Sequence, residues 1–347
     1  MWTKFFSFFS LLLIIPFIAM ASSSAQKTVL VVGGAGYIGS HVNLLLHQHG
    51  YQTVVIDNLS TGNVAAVKEG IFIEGNIADS NLLDEIFTTY QIDAVMHFAA
   101  YLNIGESVED PLKYYNNNVV NTLNLLERML AHDVKVFIFS STAAIFGPPQ
   151  VDCVPEDHPF APTNPYGRTK LMVEQILEDM AHAYDFKYCC LRYFNAAGGD
   201  PDGVLKNYNS KQTSLISVLL RNIENPNPTI TIFGTDYPTP DGTGVRDYVH
   251  VMDLASAHIA AMERLFNGEA STCYNLGNGS GFSVKEVITA VEEISGKKVD
   301  VIEGERRPGD LPTVIANSDK AMKELNWQPR YPSLKTIIEH SWEALKQ

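Results

Sequence analysis

The sequence predicts an α/β protein, a doubly wound parallel sheet followed by a smaller C-terminal α/β lobe. Three observations carry this expectation. Short apolar runs alternate with helical patterns through the first half of the chain. A glycine-rich turn joins the first run to the first helix. After Asn195 the texture changes to clusters of Gly, Pro, Asn and Asp. Alternation of this kind specifies parallel strands covered by helices on both faces.

Length and composition fit that reading. The 347 residues suit one large α/β unit or two interleaved lobes, and 46% hydrophobic with 18% charged residues describes a compact globular chain and not a disordered one. The net charge of -14, from 25 basic and 39 acidic residues, comes with Lys and Arg scattered along the chain. No basic stripe for nucleic acid exists, so an anionic ligand needs local basic residues. Cys153, Cys189, Cys190 and Cys273 show no metal-ligand spacing, so no metal is expected, and they read as buried thiols in a reducing compartment. Adjacent Cys189 and Cys190 should alternate faces on a strand.

Residues 1–26 stand apart. Lys4 followed by the apolar run Phe5 to Met20, with Ala19-Met20-Ala21 as a cleavage site, has the pattern of a signal peptide and is short for a membrane span. A translational start at Met20 is the other reading, and export or membrane tethering depends on which is right.

The elements then follow in order. Thr28 to Val32 reads as a strand, Gly33 to Gly39 as a turn, the next stretch as a helix to about His49, and Thr53 to Ile56 as a second strand, which makes a βαβ unit. Further strands are expected at Ile71 to Glu74, Ala94 to Phe98, Val136 to Ser140 and Tyr188 to Tyr193. Helices are expected at Leu82 to Thr89, Val119 to Ala131 and Tyr166 to Tyr184. The first domain is placed at 27–197 and the second lobe at 198–347, with some segments returning to the first sheet.

Gly33, Gly36 and Gly39 form a GxxGxxG turn. Glycine permits a tight turn and close approach of a pyrophosphate, and the helix N-terminus beyond offers free N–H groups to anionic oxygens. Alone the pattern is weak and also suits a glycine-rich turn with no ligand. Asp57 at the end of the next strand adds a carboxylate that can accept from adenosine ribose hydroxyls and repel a 2′-phosphate, which points to NAD and a Rossmann-like sheet. Asp57-Asn58 is alternatively a simple strand-end turn.

Tyr166 and Lys170 stand four residues apart near the start of a helix introduced by Asn164-Pro165, so both share one face. A tyrosine with a pKa of about 10 needs a neighbouring cation to act as a base near neutrality. Ser140, Ser141 and Thr142 end an apolar strand, where a hydroxyl can reach the same place. The spacing by itself also suits an exposed tyrosine beside a solvated lysine.

Along this series the chain is similar to the extended short-chain dehydrogenase/reductase family, in its nucleotide-sugar epimerase branch. The resemblance runs from about Lys27 to the C-terminus through GGAGYIGSH, IDNLSTG, HFAA, GESVEDPLKYYNNNV, FSSTAAIFG, NPYGRTKLMVEQIL, LRYFNAAGGDP, IFGTDYPTPDGTGVRDYVHVMDLA, YNLG and RRPGDLP. It implies that Thr142 is the catalytic hydroxyl, Tyr166 the base and Lys170 its partner. It implies NAD contacts from Tyr37, Ile38, Asp57, Asn58, Asn76, Ile77, Phe98, Ala99, Asn118 and Phe194. Asn76 departs from the usual Asp, and Leu102 from a Lys found in some members. UDP contacts are implied at Asn195, Leu215, Thr231, Ile232, Phe233, Arg246, Arg307 and Asp310, although the stretch Thr213 to Ser217 is atypical. Two arginines suit a diphosphate by charge-assisted bonds; surface salt bridging is the alternative for each.

The implied activity is 4-epimerisation of a UDP-hexose by oxidation and re-reduction of one sugar carbon with bound NAD. Val314 stands where some members carry a bulky Tyr that narrows the sugar pocket; the smaller Val would leave room for an N-acetyl sugar, or it is core filler. A homodimer is implied, and a working location in the cytoplasm, where NAD is found. A 4,6-dehydratase needs an acidic pair directly after the catalytic hydroxyl, where this chain has Ala143-Ala144. A decarboxylase or reductase of the same superfamily fits the C-terminal motifs less well, and a protein that binds NAD without chemistry is the alternative from another class.

Overall fold

The computed structural model describes residues 26–206, 214–307 and 310–346. In the first half the strands are β1 (Thr28–Val32), β2 (Gln52–Asp57), β3 (Ile71–Glu74), β4 (Ile92–His97), β5 (Val136–Thr142), β6 (Cys153–Val154) and β7 (Lys187–Tyr193). Between them run α1 (Tyr37–Gln48), α2 (Ser80–Thr89), α3 (Ile104–Glu109), α4 (Pro111–Tyr115), α5 (Asn121–Ala131) and α6 (Pro165–Tyr184). The second half adds β8 (Asn195–Ala197), α7 (Leu215–Asn222), β9 (Thr229–Phe233), β10 (Val245–His250), α8 (Val251–Phe266), β11 (Thr272–Leu276) and β12 (Gly281–Ser283). It ends with α9 (Val284–Ser295), β13 (Asp300–Gly304), β14 (Thr313–Ala316), α10 (Asp319–Glu324) and α11 (Leu334–Lys346).

Seven parallel strands form the main sheet in the order β11-β7-β5-β4-β1-β2-β3. Period-two alternation sorts its residues. Val29 and Val31 face the α1 and α8 side, with Leu254 and Ala257 packed there. Leu30 and Val32 face the α2, α5 and α6 side, with Leu83, Leu125 and Val173. Each fully buried side chain of this size contributes about 2 kcal/mol by leaving water. Cys189 and Cys190 fall in the two opposite layers, as their adjacency on a strand requires. The expectation that all four thiols are buried fails at two of them: Cys153 is exposed and Cys273 only partly covered, because β6 and β11 lie at the margins of their sheets.

The chain leaves β1 for β2 in one direction and reaches β4 on the other side, so the order reverses between β1 and β4. In an open parallel sheet that reversal opens a crevice beyond the carboxyl ends of the strands. Residues of the second lobe border it, as where Gly198 and Gly199 line a cleft with Gly36 and Tyr37. In that lobe β10 pairs with β8, β12 and β14, and a separate core joins Ile216 and Leu219 of α7, Val287 and Val291 of α9, and Ile337 of α11. β11 and α8 return from this half of the sequence to the main sheet.

One expected helix is altered. The stretch from Val119 is entered through a π-helical turn at Asn116–Val120 that continues from α4, and regular α5 begins only at Asn121. Among the described residues no helix is long and apolar enough to cross a membrane. The expectations for the N-terminal leader up to residue 25 and for Thr213 lie outside the described residues.

Candidate active site

The floor of the crevice is the glycine turn. Gly33 has φ +80°, and a Cβ there would lie 2.6 Å from the backbone N of Ala99, so β1 and β4 approach at a point that only glycine allows. At Gly39 a Cβ would come within 2.3 Å of the Gly33 carbonyl oxygen. Gly36 is the N-cap of α1. It offers no capping side chain, and the first turn holds no acidic residue. Uncapped N–H groups beside a backbone-lined cradle fit the diphosphate of a dinucleotide.

Asp57 braces this turn. Its carboxylate accepts from the N–H of Ala35 at 3.0 Å and of Leu59 at 2.8 Å. Burial raises its pKa, and those two bonds oppose the rise. Asn58 and Asn76 are exposed and make local turns, accepting from Ser60 and Ala78 at 3.0 and 2.9 Å. The Asn at 76 thus keeps the acceptor that an Asp would use on the backbone. Ile77 is buried against the α2 layer. Phe98 and Ala99 both donate to the Val32 carbonyl, at 2.8 and 3.1 Å, and the Phe98 ring lies 4.9 Å from that of His258. The Tyr37 hydroxyl donates to the Gly198 carbonyl at 2.8 Å, tying α1 to the second lobe, and Ile38 beside it is half-buried. Phe194 lies against the small cluster of Ile145 and Phe146.

Asn118, expected at the cofactor, is also tied into the protein. It is 3% exposed, and its amide accepts from Tyr101 N at 2.9 Å while donating to Tyr101 O at 3.1 Å and Thr169 Oγ1 at 3.2 Å. The π turn aims this amide inward, where it fastens the segment after β4 to α6.

Above the floor, α6 starts with Asn164 accepting from Gly167 N at 2.8 Å and Pro165 in the first turn. This fixes Tyr166 and Lys170 one turn apart, both buried. Lys170 Nζ donates to the Ser140 carbonyl at 2.8 Å and lies 4.7 Å over the Phe139 ring. Burial lowers its pKa to about 7, against the pull of Glu174. Burial also raises the Tyr166 pKa, and a hydrogen bond with Thr142 opposes that. Thr142, the last residue of β5, also accepts from Ala144 N at 3.2 Å. The structure thus brings Thr142, Tyr166 and Lys170 together at the carboxyl end of the sheet. Burial alone disfavours both charged forms, so a further positive charge beside the phenol is needed to make it a base near neutrality.

The expected nucleotide-side residues gather in the second lobe. The Arg246 Nη1 donates to the Val245 and Leu311 carbonyls at 2.9 and 2.8 Å, and Nη2 lies 4.0 Å from Asp310. Arg307 stacks 3.9 Å over the Phe233 ring. Asn195 Nδ2 donates to the Asp247 carbonyl at 2.9 Å, and Val314 pairs in register with Arg246. Strand alternation separates the Thr231 to Phe233 segment. Ile232 points into the second core, so only its backbone can meet a ligand, and Leu215 packs against the same core. Sequence reasoning missed Thr61 and Lys206, which line a cleft with Gly36 and Tyr37. The Ser-Thr-Gly turn after Asn58 was the available signal.

Comparison with known proteins agrees with this geometry. The model of the NAD dependent epimerase/dehydratase family matches residues 29–277. The UDP-glucose 4-epimerase of Halalkalibacterium halodurans is 49% identical over 319 residues, 92% of this chain and 96% of that protein. The crystal structure of UDP-glucose 4-epimerase from Brucella ovis in complex with NAD superposes with a TM-score of 0.89 at 44% identity, covering 91% of this chain and 98% of that one. The UDP-Glc/GlcNAc 4-epimerase of Campylobacter jejuni superposes at 0.81 with 43% identity, covering 93% and 100%. A glycine cradle, a Tyr and Lys on one helix and relatives of this similarity along nine-tenths of the chain have one common explanation: this protein belongs to the NAD dependent epimerase/dehydratase family.

Proposed function

We propose that this protein interconverts UDP-glucose and UDP-galactose by oxidising and re-reducing C4 of the hexose, with NAD retained throughout. The observation that carries the reading is the meeting of Thr142, Tyr166 and Lys170 at the carboxyl edge of the sheet, beside the glycine cradle. Bound NAD supplies a two-electron acceptor that gives back what it takes, together with a positive ring. Tyr166 takes the proton of the 4-hydroxyl and later returns it. Lys170, anchored on the Ser140 carbonyl, stabilises the phenolate, and Thr142 orients the sugar oxygen. Inversion requires the hexose to turn over between the two transfers. Firm hold on the nucleotide is therefore assigned to Arg246, Asp310, Arg307, Phe233 and the neighbouring Asn195, with a loose hold on the sugar.

A 4,6-elimination lacks its acid and base, because Ala143 and Ala144 form the short turn after Thr142. The test is incubation of the purified protein with UDP-galactose and no added dinucleotide. UDP-glucose should form, and extraction should release bound NAD. Tyr166→Phe should keep the NAD and lose at least about a thousandfold in kcat, since the proton has no other acceptor in place. A binding protein without chemistry would show no turnover at all.

Val314 is half-buried in β14, in register with Arg246, and we assign it as the position that admits an N-acetyl group. Turnover of UDP-N-acetylgalactosamine is expected, and Val314→Tyr should abolish it while sparing UDP-galactose. Equal loss of both substrates would make Val314 a packing residue only. We place the protein in the cytoplasm, where its cofactor is found. A homodimer is assigned to the flank of α3 to α5, where Ile104, Val108, Leu112 and Val120 are exposed apolar side chains.

A further inference from the structure

Beneath Thr142 lies an ion pair that the catalytic reading does not use. Arg192 on β7 holds Glu174 on α6, with Nη2 at 2.7 Å from Oε2 and Nε at 3.1 and 3.2 Å from the two oxygens. The two side chains are 4% and 5% exposed. The remaining guanidinium nitrogen, Nη1, donates to the Glu156 carbonyl at 2.9 Å, and the rings of Phe146 and Phe160 lie 5.4 and 4.9 Å away. Charges buried this deeply rarely stabilise a fold beyond what well-packed apolar side chains of the same volume would give. Stability is thus a weak reason for the pair to be there.

Its other contact is the informative one. Ser141 Oγ donates to Glu174 Oε1 at 2.5 Å. Three residues on consecutive turns of α6 therefore grip the last three residues of β5. Tyr166 meets Thr142, Lys170 holds the Ser140 carbonyl, and Glu174 holds the Ser141 hydroxyl. Arg192 stands opposite Ser141 in the β5–β7 register, so the neighbouring strand completes the clamp. Cys273 Sγ, at 3.9 Å from Glu174 Oε2, closes the last side.

We infer that Glu174, with Arg192 and Ser141, is a positioning device that fixes the end of β5 so that the Thr142 hydroxyl and the Tyr166 phenol keep their shared alignment to the sugar. Ser141, Glu174 and Arg192 are all buried, and none is among the residues assigned to substrate. They act through the peptide that carries Thr142, and an error of about 1 Å at a reacting group costs on the order of a hundredfold in rate. The inference rests on the catalytic assignment of Thr142 and Tyr166 made above.

The test compares full-length wild type, Tyr166→Phe, Ser141→Ala and the double variant Glu174→Gln with Arg192→Met, each loaded with NAD. Ser141→Ala should lower kcat for UDP-galactose about tenfold or more, with KM and bound NAD within about twofold of wild type. The double variant, which removes both charges together, should melt near wild type and show the same loss in kcat alone. A Ser141→Ala enzyme with wild-type kcat overturns the inference, whether or not the double variant folds. So does a loss that follows only melting temperature or NAD content, with kcat per loaded site unchanged. If wild type itself is inactive, or Tyr166→Phe remains active, it is the catalytic assignment that fails.

Discussion

At the scale of single residues, burial sets the proton chemistry of this protein more than charge does. His258 shows it. Its Nδ1 donates to the Leu254 carbonyl at 2.8 Å and its Nε2 accepts from the Tyr193 hydroxyl. Burial brings its pKa down to about 4, whereas an unfolded histidine titrates at about 6.5. Between those values the unfolded chain takes up a proton that the folded protein refuses. The stability that His258 contributes is therefore complete above pH 6.5 and is lost as the pH falls toward 4. Replacing His258 with Gln should spare about 3 kcal/mol of that acid loss, read as the difference between denaturant midpoints at pH 7 and pH 4 for the two proteins. Identical losses would mean that another group carries the proton linkage. Which residues meet at the candidate site was partly legible at this scale. The four-residue spacing of Tyr166 and Lys170 is local and shows in the sequence, while Glu174 and Arg192 meet only because α6 crosses β7. No sequence spacing reports that crossing, and the inward turn of the Asn118 amide was hidden for the same reason.

Elements add what residues cannot do alone, and the glycine turn is the clearest case. Gly33→Ala would force a methyl group to within 2.6 Å of Ala99 N and strain a backbone held at φ +80°. A cost of at least about 2 kcal/mol is expected, and NAD retained through purification should fall in step, because the clash parts β1 from β4 where the dinucleotide would lie. Calorimetry and the absorbance of the purified protein check both halves. Wild-type melting with full NAD content would show that the turn yields. The strands were legible because buried parallel strands are short unbroken apolar runs. β1 and β3 kept their expected bounds, and the ends of others moved by one or two residues, as β2 did in extending from the expected Thr53 to Ile56 to Gln52–Asp57. The short α3 and α4 and the π turn were not legible, since stretches this brief hold too little periodicity to declare a helix.

Over the whole molecule, the change of texture after Asn195 precedes the elements that build a separate core, where Gly and Pro clusters interrupt long helices. What a sequence pattern could not supply was the destination of Thr272–Leu276, a run of no special character that pairs in register with β7. Local patterns name an element, and only packing names its neighbour. The destination matters for how the protein is made. Emerging from the ribosome, the nascent chain presents six main-sheet strands and then the whole α7 to α8 region before the seventh arrives. Until residue 276 has been synthesised, β7 remains an open hydrogen-bonding edge and Ala257 and Met262 of α8 have only part of their final cover. Completion of the larger domain is thereby coupled to translation of the smaller one. Truncation near residue 197 would leave a protein with a sticky flank, dependent on chaperones, instead of a free-standing dinucleotide-binding half.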